Sequence, residues 1–313
     1  MSNDTAEAAA QLPVWDQPVR YIDRTHAWYN ALGTNNPYQY AHFLDVPFQA
    51  MQKPLSQCRV ALLTTAAPYQ PEKGPQGKDA PYNAAAKFYE VYSGDTSQHH
   101  DLRVSHVGID RAQITDDSHT WFPLQALRRA AARGIIGSVA SRFHGVPTNR
   151  SQRHTMTVDC AEVLARCRAD GVDVAVLVAN CPICHQSMAL TARHLEANGI
   201  CTVIMGAAKD IVEHCGVPRL LFSDFPLGNA AALPHDEASR DSTLELALRL
   251  LESAPAARTT VQNPLRWRGD PQWKSKYLDV SKLTPQELAR RKAENASIKT
   301  VAQSVRDATL QAR

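Results

Sequence analysis

The chain has 313 residues, 44% of them hydrophobic, and 34 basic against 31 acidic side chains leave a formal net charge of +3. Chains of this size bury roughly three quarters of their unfolded surface, enough for one large or two medium cores, and so even a balance creates no field for nucleic acid or a membrane surface. No run approaches the ~20 apolar residues of a membrane span, and Ser2 to Ala10 lacks the basic start and apolar centre of a secretory signal, so a cytoplasmic protein is expected.

Residues 1–12 are small and polar and read as a disordered tail. From Trp15 to Phe48 the chain is rich in aromatics around Asn35-Asn36-Pro37, which suggests a short helix, a turn and a packed lead-in. Cys58 to Thr65 has the composition of a first buried strand. The long polar loop that follows, Pro68 to Pro81, has the character of a lid or binding segment. Leu102 to His106 is a strand candidate, Pro123 to Gly134 a helix with Pro at its start and Gly as its stop, and Ile135 to Ala140 another strand candidate.

The second half repeats this rhythm more clearly. A helix over 158–168 leads to a strand at Val172 to Val178, a cysteine-bearing turn, a helix over 185–198, and a strand at Cys201 to Met205. A short helix (209–214), a short strand (219–222) and a helix (242–251) follow. Beyond Pro255 the chain turns to Pro, Trp and Arg, and Thr284-Pro285-Gln286-Glu287 is a capping box that opens a long C-terminal helix with sparse apolar residues. Alternating strands and helices imply parallel β-α units. The expected fold is α/β, flavodoxin- or Rossmann-like, in two lobes with a cleft between them: an N-terminal lobe over 13–157, a C-terminal lobe over 158–254 and an extension over 255–313.

Seven cysteines in a reducing compartment do not suggest a disulfide framework. Cys58, Cys160, Cys167, Cys201 and Cys215 fall in apolar patterns and read as small core residues. Cys181-Pro-Ile-Cys184-His185 differs, because it lies where a strand hands over to a helix, the place where open α/β sheets put their chemistry. A thiol there feels the positive end of the helix dipole, which favours the thiolate.

Five readings of this turn compete. Attachment of c-type haem requires export, and structural zinc requires a second ligand pair that the sequence lacks. Catalytic zinc on Cys181 and Cys184 lacks an identified third ligand, and a thioredoxin-like exchanger lacks the rest of its small fold. The preferred reading makes Cys181 a nucleophile, Cys184 a second thiol that releases the adduct by forming a disulfide, and His185 the stabiliser of the thiolate. No cofactor is then required, and zinc at Cys181 and Cys184 is the alternative.

Several short motifs in the same order resemble the B component (selenoprotein B) of the glycine, sarcosine, betaine and D-proline reductases. They are Pro18-Val-Arg-Tyr-Ile-Asp-Arg24, Asn36-Pro-Tyr38, Gly94-Asp95, Asp101 to His106, Phe122-Pro123, Gly134 to Ser138, the cysteine turn with His185-Gln186, and Asp224-Phe-Pro-Leu-Gly-Asn229. The resemblance implies that Cys181 occupies a position that is often selenocysteine, where the family attacks an activated carbon while a pyruvoyl-bearing partner subunit holds the amine. It implies a place near the site for His106 and Asp224.

A thiolate is a poorer nucleophile and leaving group than a selenolate, so Cys at this position suggests a more reactive carbon. The preferred activity is C–S cleavage of the desulfhydrase kind on a small, carboxylate-bearing, amino-acid-derived compound. The alternatives are a subunit of a reductase complex and a metal-dependent hydrolase. Candidate substrate-binding residues are Thr64 and Thr65 at the end of the first strand, His106, Arg142 as a carboxylate clamp, and Asp224 and Asn229 in a Pro- and Gly-containing turn. The long C-terminal helix is the expected contact for a second copy or a partner subunit, and neither nucleic acid nor a membrane is an expected partner.

Overall fold

The computed structural model describes residues 16–311 apart from 35, 79, 105 and 268–270, and the tail expected over 1–12 lies outside the described residues. The strands, in chain order, are β1 (Arg59–Thr64), β2 (Ala67–Pro68), β3 (Tyr92–Asp95), β4 (Leu102–Arg103), β5 (Ser138–Val139), β6 (Arg142–Gly145), β7 (Val174–Val178), β8 (Cys201–Gly206), β9 (Arg219–Phe222) and β10 (Thr259–Gln262). The helices are α1 (Tyr21–Ala31), α2 (Leu124–Ala132), α3 (Gln152–His154), α4 (Cys160–Ala169), α5 (Pro182–Glu196), α6 (Lys209–Cys215), α7 (Glu237–Ser253), α8 (Trp273–Lys276) and α9 (Pro285–Gln311). A π-helical turn, Thr155–Asp159, joins α3 to α4.

The α/β expectation is met. The main sheet runs β10-β9-β8-β7-β1-β6-β3, with β5 also paired to β1. All its pairings are parallel except β3 against β6. The two halves expected as lobes are joined through β1 and β7, which pair in register from Val60 with Val174 to Thr64 with Val178. Apolar runs form these strands because both faces are covered: every residue of β7 and β8 is buried, as is β1 after Arg59. Helices α4, α5 and α6 pack as one layer, and α2 packs with α7 in the other.

Read in chain order, β6-β1-β7-β8-β9 is the 2-1-3-4-5 order of flavodoxin-like sheets, in which the chain reverses direction between β1 and its neighbour β7. Such a switch point opens a crevice at the carboxyl ends of those strands. Here those ends are Thr64-Thr65 and Ala179-Asn180-Cys181.

Several elements depart from expectation. The strand expected over Leu102 to His106 is two residues long and pairs antiparallel with β2. The strand expected over Ile135 to Ala140 is a turn followed by the short β5, because the chain passes so close to Gln57 and Cys58 that a Cβ on Gly137 would lie 2.7 Å from the Gln57 carbonyl carbon. The segment after 254, expected as an extension, contributes β10 to the sheet edge before reaching α9. The capping box forms, with the Glu287 N–H donating to Thr284 Oγ1 and Thr284 N–H to Glu287 Oε2.

Candidate active site

Cys181 is the N-cap of α5, and Pro182 takes the first helical position, where its fixed φ and missing N–H fit. The Cys181 sulfur occupies the place of a capping oxygen: it accepts the Cys184 N–H at 3.2 Å. One helical turn brings Cys184 Sγ to 2.7 Å from Cys181 Sγ. Both are buried, but Cys181 keeps 3% of its surface exposed and lines a pocket, whereas Cys184 keeps none.

The pair shares protons unequally. Burial alone would raise the Cys184 thiol, yet donation from the Cys181 thiol, the nearby His106 ring and the Thr65 hydroxyl together hold it well below its ordinary value. Burial, and after it the hydrogen bond with Cys184, drives Cys181 well above its ordinary value. The consequence is a pair that favours holding a single proton between its sulfurs, with Cys184 the more acidic of the two. His106 Nδ1 stands 3.6 Å from Cys184 Sγ, and its Nε2 is buried without a hydrogen-bond partner.

His185, expected to stabilise the thiolate, faces elsewhere. Adjacent helix residues point about 100° apart, so Cys184 looks into the crevice and His185 looks at β8. Its Nε2 accepts the N–H groups of Ala207 and Ala208 at 2.9 and 3.0 Å, which leaves Nδ1 to donate to the Cys181 carbonyl at 2.7 Å. Burial lowers its pKa to about 4, so the ring is neutral. It fixes the main chain of the turn, and it is His106 that reaches a sulfur. Gly206 makes room for it, since a Cβ there would lie 3.0 Å from the ring.

Thr65 lies in the crevice: its Oγ1 accepts from Asn180 N and Nδ2 at 3.2 and 3.0 Å. Thr64 points the other way along the strand, with Oγ1 accepting the Ala66 N–H at 3.0 Å. Arg142 makes a bidentate pair with Asp170, in the turn that leads into β7, and so is held at the amino ends of the strands, the opposite end from the cysteines. Asp224 is paired with Lys274. Asn229 donates to the carbonyls of Gln113 and Pro226, which is a turn-holding role.

The Cys181 pocket is lined as well by Tyr82, Lys87, Arg103, His106, Thr148 and Arg150. Lys87, Arg150 and Asn180 were not singled out from sequence, because each sits in an irregular segment with no motif around it. The donors of His106, Cys181 and Cys184 lie within 4.8 Å of one another, so His106 supplies the third ligand that a metal at this turn requires. The five remaining cysteines are buried and unpaired. Among the described residues, no helix is long and apolar enough to cross a membrane.

Comparison with known proteins points one way. A family model described as glycine/sarcosine/betaine reductase selenoprotein B matches residues 33–180 and ends one residue before Cys181. The D-proline reductase subunit gamma of Acetoanaerobium sticklandii is 28% identical over 69% of this chain and 87% of its own length. The glycine reductase complex component B subunit gamma of Peptoclostridium acidaminophilum is 24% identical over 67% of this chain, and that of Carboxydothermus hydrogenoformans 26% over 68%. The match spans about half the length of these last two proteins. No solved structure matches the chain. These relatives are named as subunits of reductases, which agrees with the reductase-subunit alternative, and none of them is named as a desulfhydrase. On these matches, the chain is similar to the glycine/sarcosine/betaine reductase selenoprotein B family over residues 33–180 and to the reductase subunits related to it.

Proposed function

We propose that this chain is the thiol-bearing component of a reductase of the glycine and D-proline reductase type, acting on a small carboxylate-bearing compound with Cys181 in the place of the family's selenocysteine. The observation that carries this reading is the pair of sulfurs 2.7 Å apart at the N-terminus of α5, one of them facing a pocket. The Cys181 proton passes to Cys184, and the Cys181 thiolate attacks the substrate carbon while the leaving group departs with the bond pair. Cys184 gives up its proton and attacks the Cys181 sulfur. A disulfide forms, and the carbon leaves with the C–S electron pair and takes the proton. The carbon gains two electrons, the two thiols lose them, and a dithiol reductant restores the pair.

The test is intact mass. With substrate and no reductant, wild type is expected to lose two hydrogens in a disulfide, Cys184→Ser to hold the substrate fragment on Cys181, and Cys181→Ser to do neither. Running glycine, sarcosine, D-proline and sulfur-containing analogues with and without a partner subunit separates amine release from the sulfide release of a desulfhydrase. No adduct with any of them, from the chain alone or with its partner, removes the reading.

The three-donor set supports a second reading, a metal-dependent hydrolase with His106, Cys181 and Cys184 as ligands and an open fourth position. One metal per chain, with both cysteines shielded from alkylation until a chelator is added, is the result that favours it.

A further inference from the structure

The pocket that opens on Cys181 is lined by Lys87, Arg103 and Arg150, and by no carboxylate. Arg103 is paired with Asp101 beside it. The other two cations have no such partner among the described residues. Lys87 Nζ lies 4.7 Å over the Tyr89 ring, and Arg150 meets only the hydroxyl and ring of Tyr29. Two like charges beside one cavity repel each other; the negative cysteine pair offsets part of that repulsion, and an anion seated between the two cations offsets more.

Both are held in place rather than left to drift. Arg150 has φ at +58, a left-handed conformation that costs a non-glycine residue energy and persists where the surroundings impose it. Asn149, next to it, donates to Asp159 at 2.8 Å and to the carbonyl of Tyr89 at 3.3 Å, which ties the Arg150 loop to the segment that carries Lys87. The cavity is about 40 Å³, room for a few atoms and no more.

We infer that Lys87 and Arg150 form a carboxylate subsite that selects small anionic substrates and orients the carbon next to the carboxylate toward Cys181. This rests on the thiol reading proposed above. It replaces Arg142, which Asp170 occupies, as the clamp. Lys87 behaves as the assignment requires: burial, then the charge of Arg150, lowers its ammonium to about 8, and the two cysteine sulfurs pull it back up, so all four groups share one field.

Iodoacetate and iodoacetamide test this, since they carry the same leaving group on the same carbon and differ only in the charge of the carboxyl end. The readout is the ratio of their rates at Cys181, measured by peptide mass, against the same ratio for glutathione. The subsite predicts a ratio at least about tenfold above that of glutathione in wild type, falling by about tenfold in Arg150→Met and in Lys87→Met. In wild type alone, acetate is expected to slow iodoacetamide labelling where acetamide does not, a measurement that holds even if a variant fails to fold. Labelling by both reagents with the ratio of glutathione, or no protection by acetate, overturns the subsite and leaves the thiol reading intact. No labelling of Cys181 by either reagent overturns both.

Discussion

Thr65 Oγ1 accepts two hydrogen bonds from Asn180, at 3.2 Å from its N–H and 3.0 Å from its side-chain amide. The contact joins the ends of β1 and β7, and it leaves the hydroxyl proton of Thr65 free to be given to Cys184. One side chain thus sutures the switch point and helps to hold the thiolate there.

Replacing Thr65 by Val keeps the shape and removes both roles. A hydrogen bond to a charged group is worth about 1.5–3 kcal/mol, so the pH at which the cysteine pair begins to react is expected to rise by about one unit. Alkylation rate against pH reads this directly, and an unchanged profile would show that Thr65 holds the strands without touching the chemistry.

Acid should weaken the fold in a defined window. His144 and His185 are buried, and burial lowers each to about 4. The folded state therefore binds fewer protons than the unfolded chain, whose histidines titrate near 6.5. Stability is complete above that value and is lost as pH falls toward 4, by roughly 3 kcal/mol for each ring at most. Urea unfolding at pH 7.5, 6 and 4.5 should show the decline, and His185→Gln should make it shallower. A flat series would mean that these rings titrate normally in the fold.

Glu196 and Arg219 form a fully buried pair at 2.8 Å, completed by Thr202 and by the main chain at Gln49. Arg219→Met strands a carboxylate in the core, and removing one partner of such a pair typically costs about 3–5 kcal/mol. A double replacement, Glu196→Leu with Arg219→Met, should recover most of that loss in denaturant melts. If the single change were as mild as the double, the pair would not be closely coupled.

Ending the chain after Leu283 removes α9, whose packing among the described elements is concentrated on the turn Ala84–Ala86, with Tyr89 donating to the Ala302 carbonyl at 2.8 Å. The core lies elsewhere, so the melting temperature should fall by only a few degrees. The Lys87 segment loses its outer support, and hydrogen exchange over 84–91 should quicken. A large loss of stability would mean that the helix is part of the core rather than packed on its outside.

How much of this was legible depended on burial. Strands β1, β7 and β8 are covered on both faces and show as unbroken apolar runs, and the capping box at Thr284 announced α9. Strands β3 and β10 lie at sheet edges, half exposed, and their Tyr-Ser-Gly-Asp and Thr-Thr-Val-Gln leave no such run. The cysteine turn stood out because its residues are adjacent in sequence. Adjacency also misled, since His185 follows Cys184 in the chain but faces β8. The clamp went unseen because Lys87 and Arg150 are 63 residues apart in segments without periodicity, and only the folded chain brings them to one cavity.

The sulfur of Cys181 serves as both the cap of α5 and the atom that faces the pocket. An atom cannot do both jobs at once with equal strength: a bond made to carbon weakens the sulfur as an acceptor for the Cys184 N–H. The first turn of α5 is therefore a gauge of the chemical state of the site. It is tightest when the sulfur is a free thiolate and slackest when it is alkylated or oxidised, and the amide of Cys184 carries that record in its exchange with solvent.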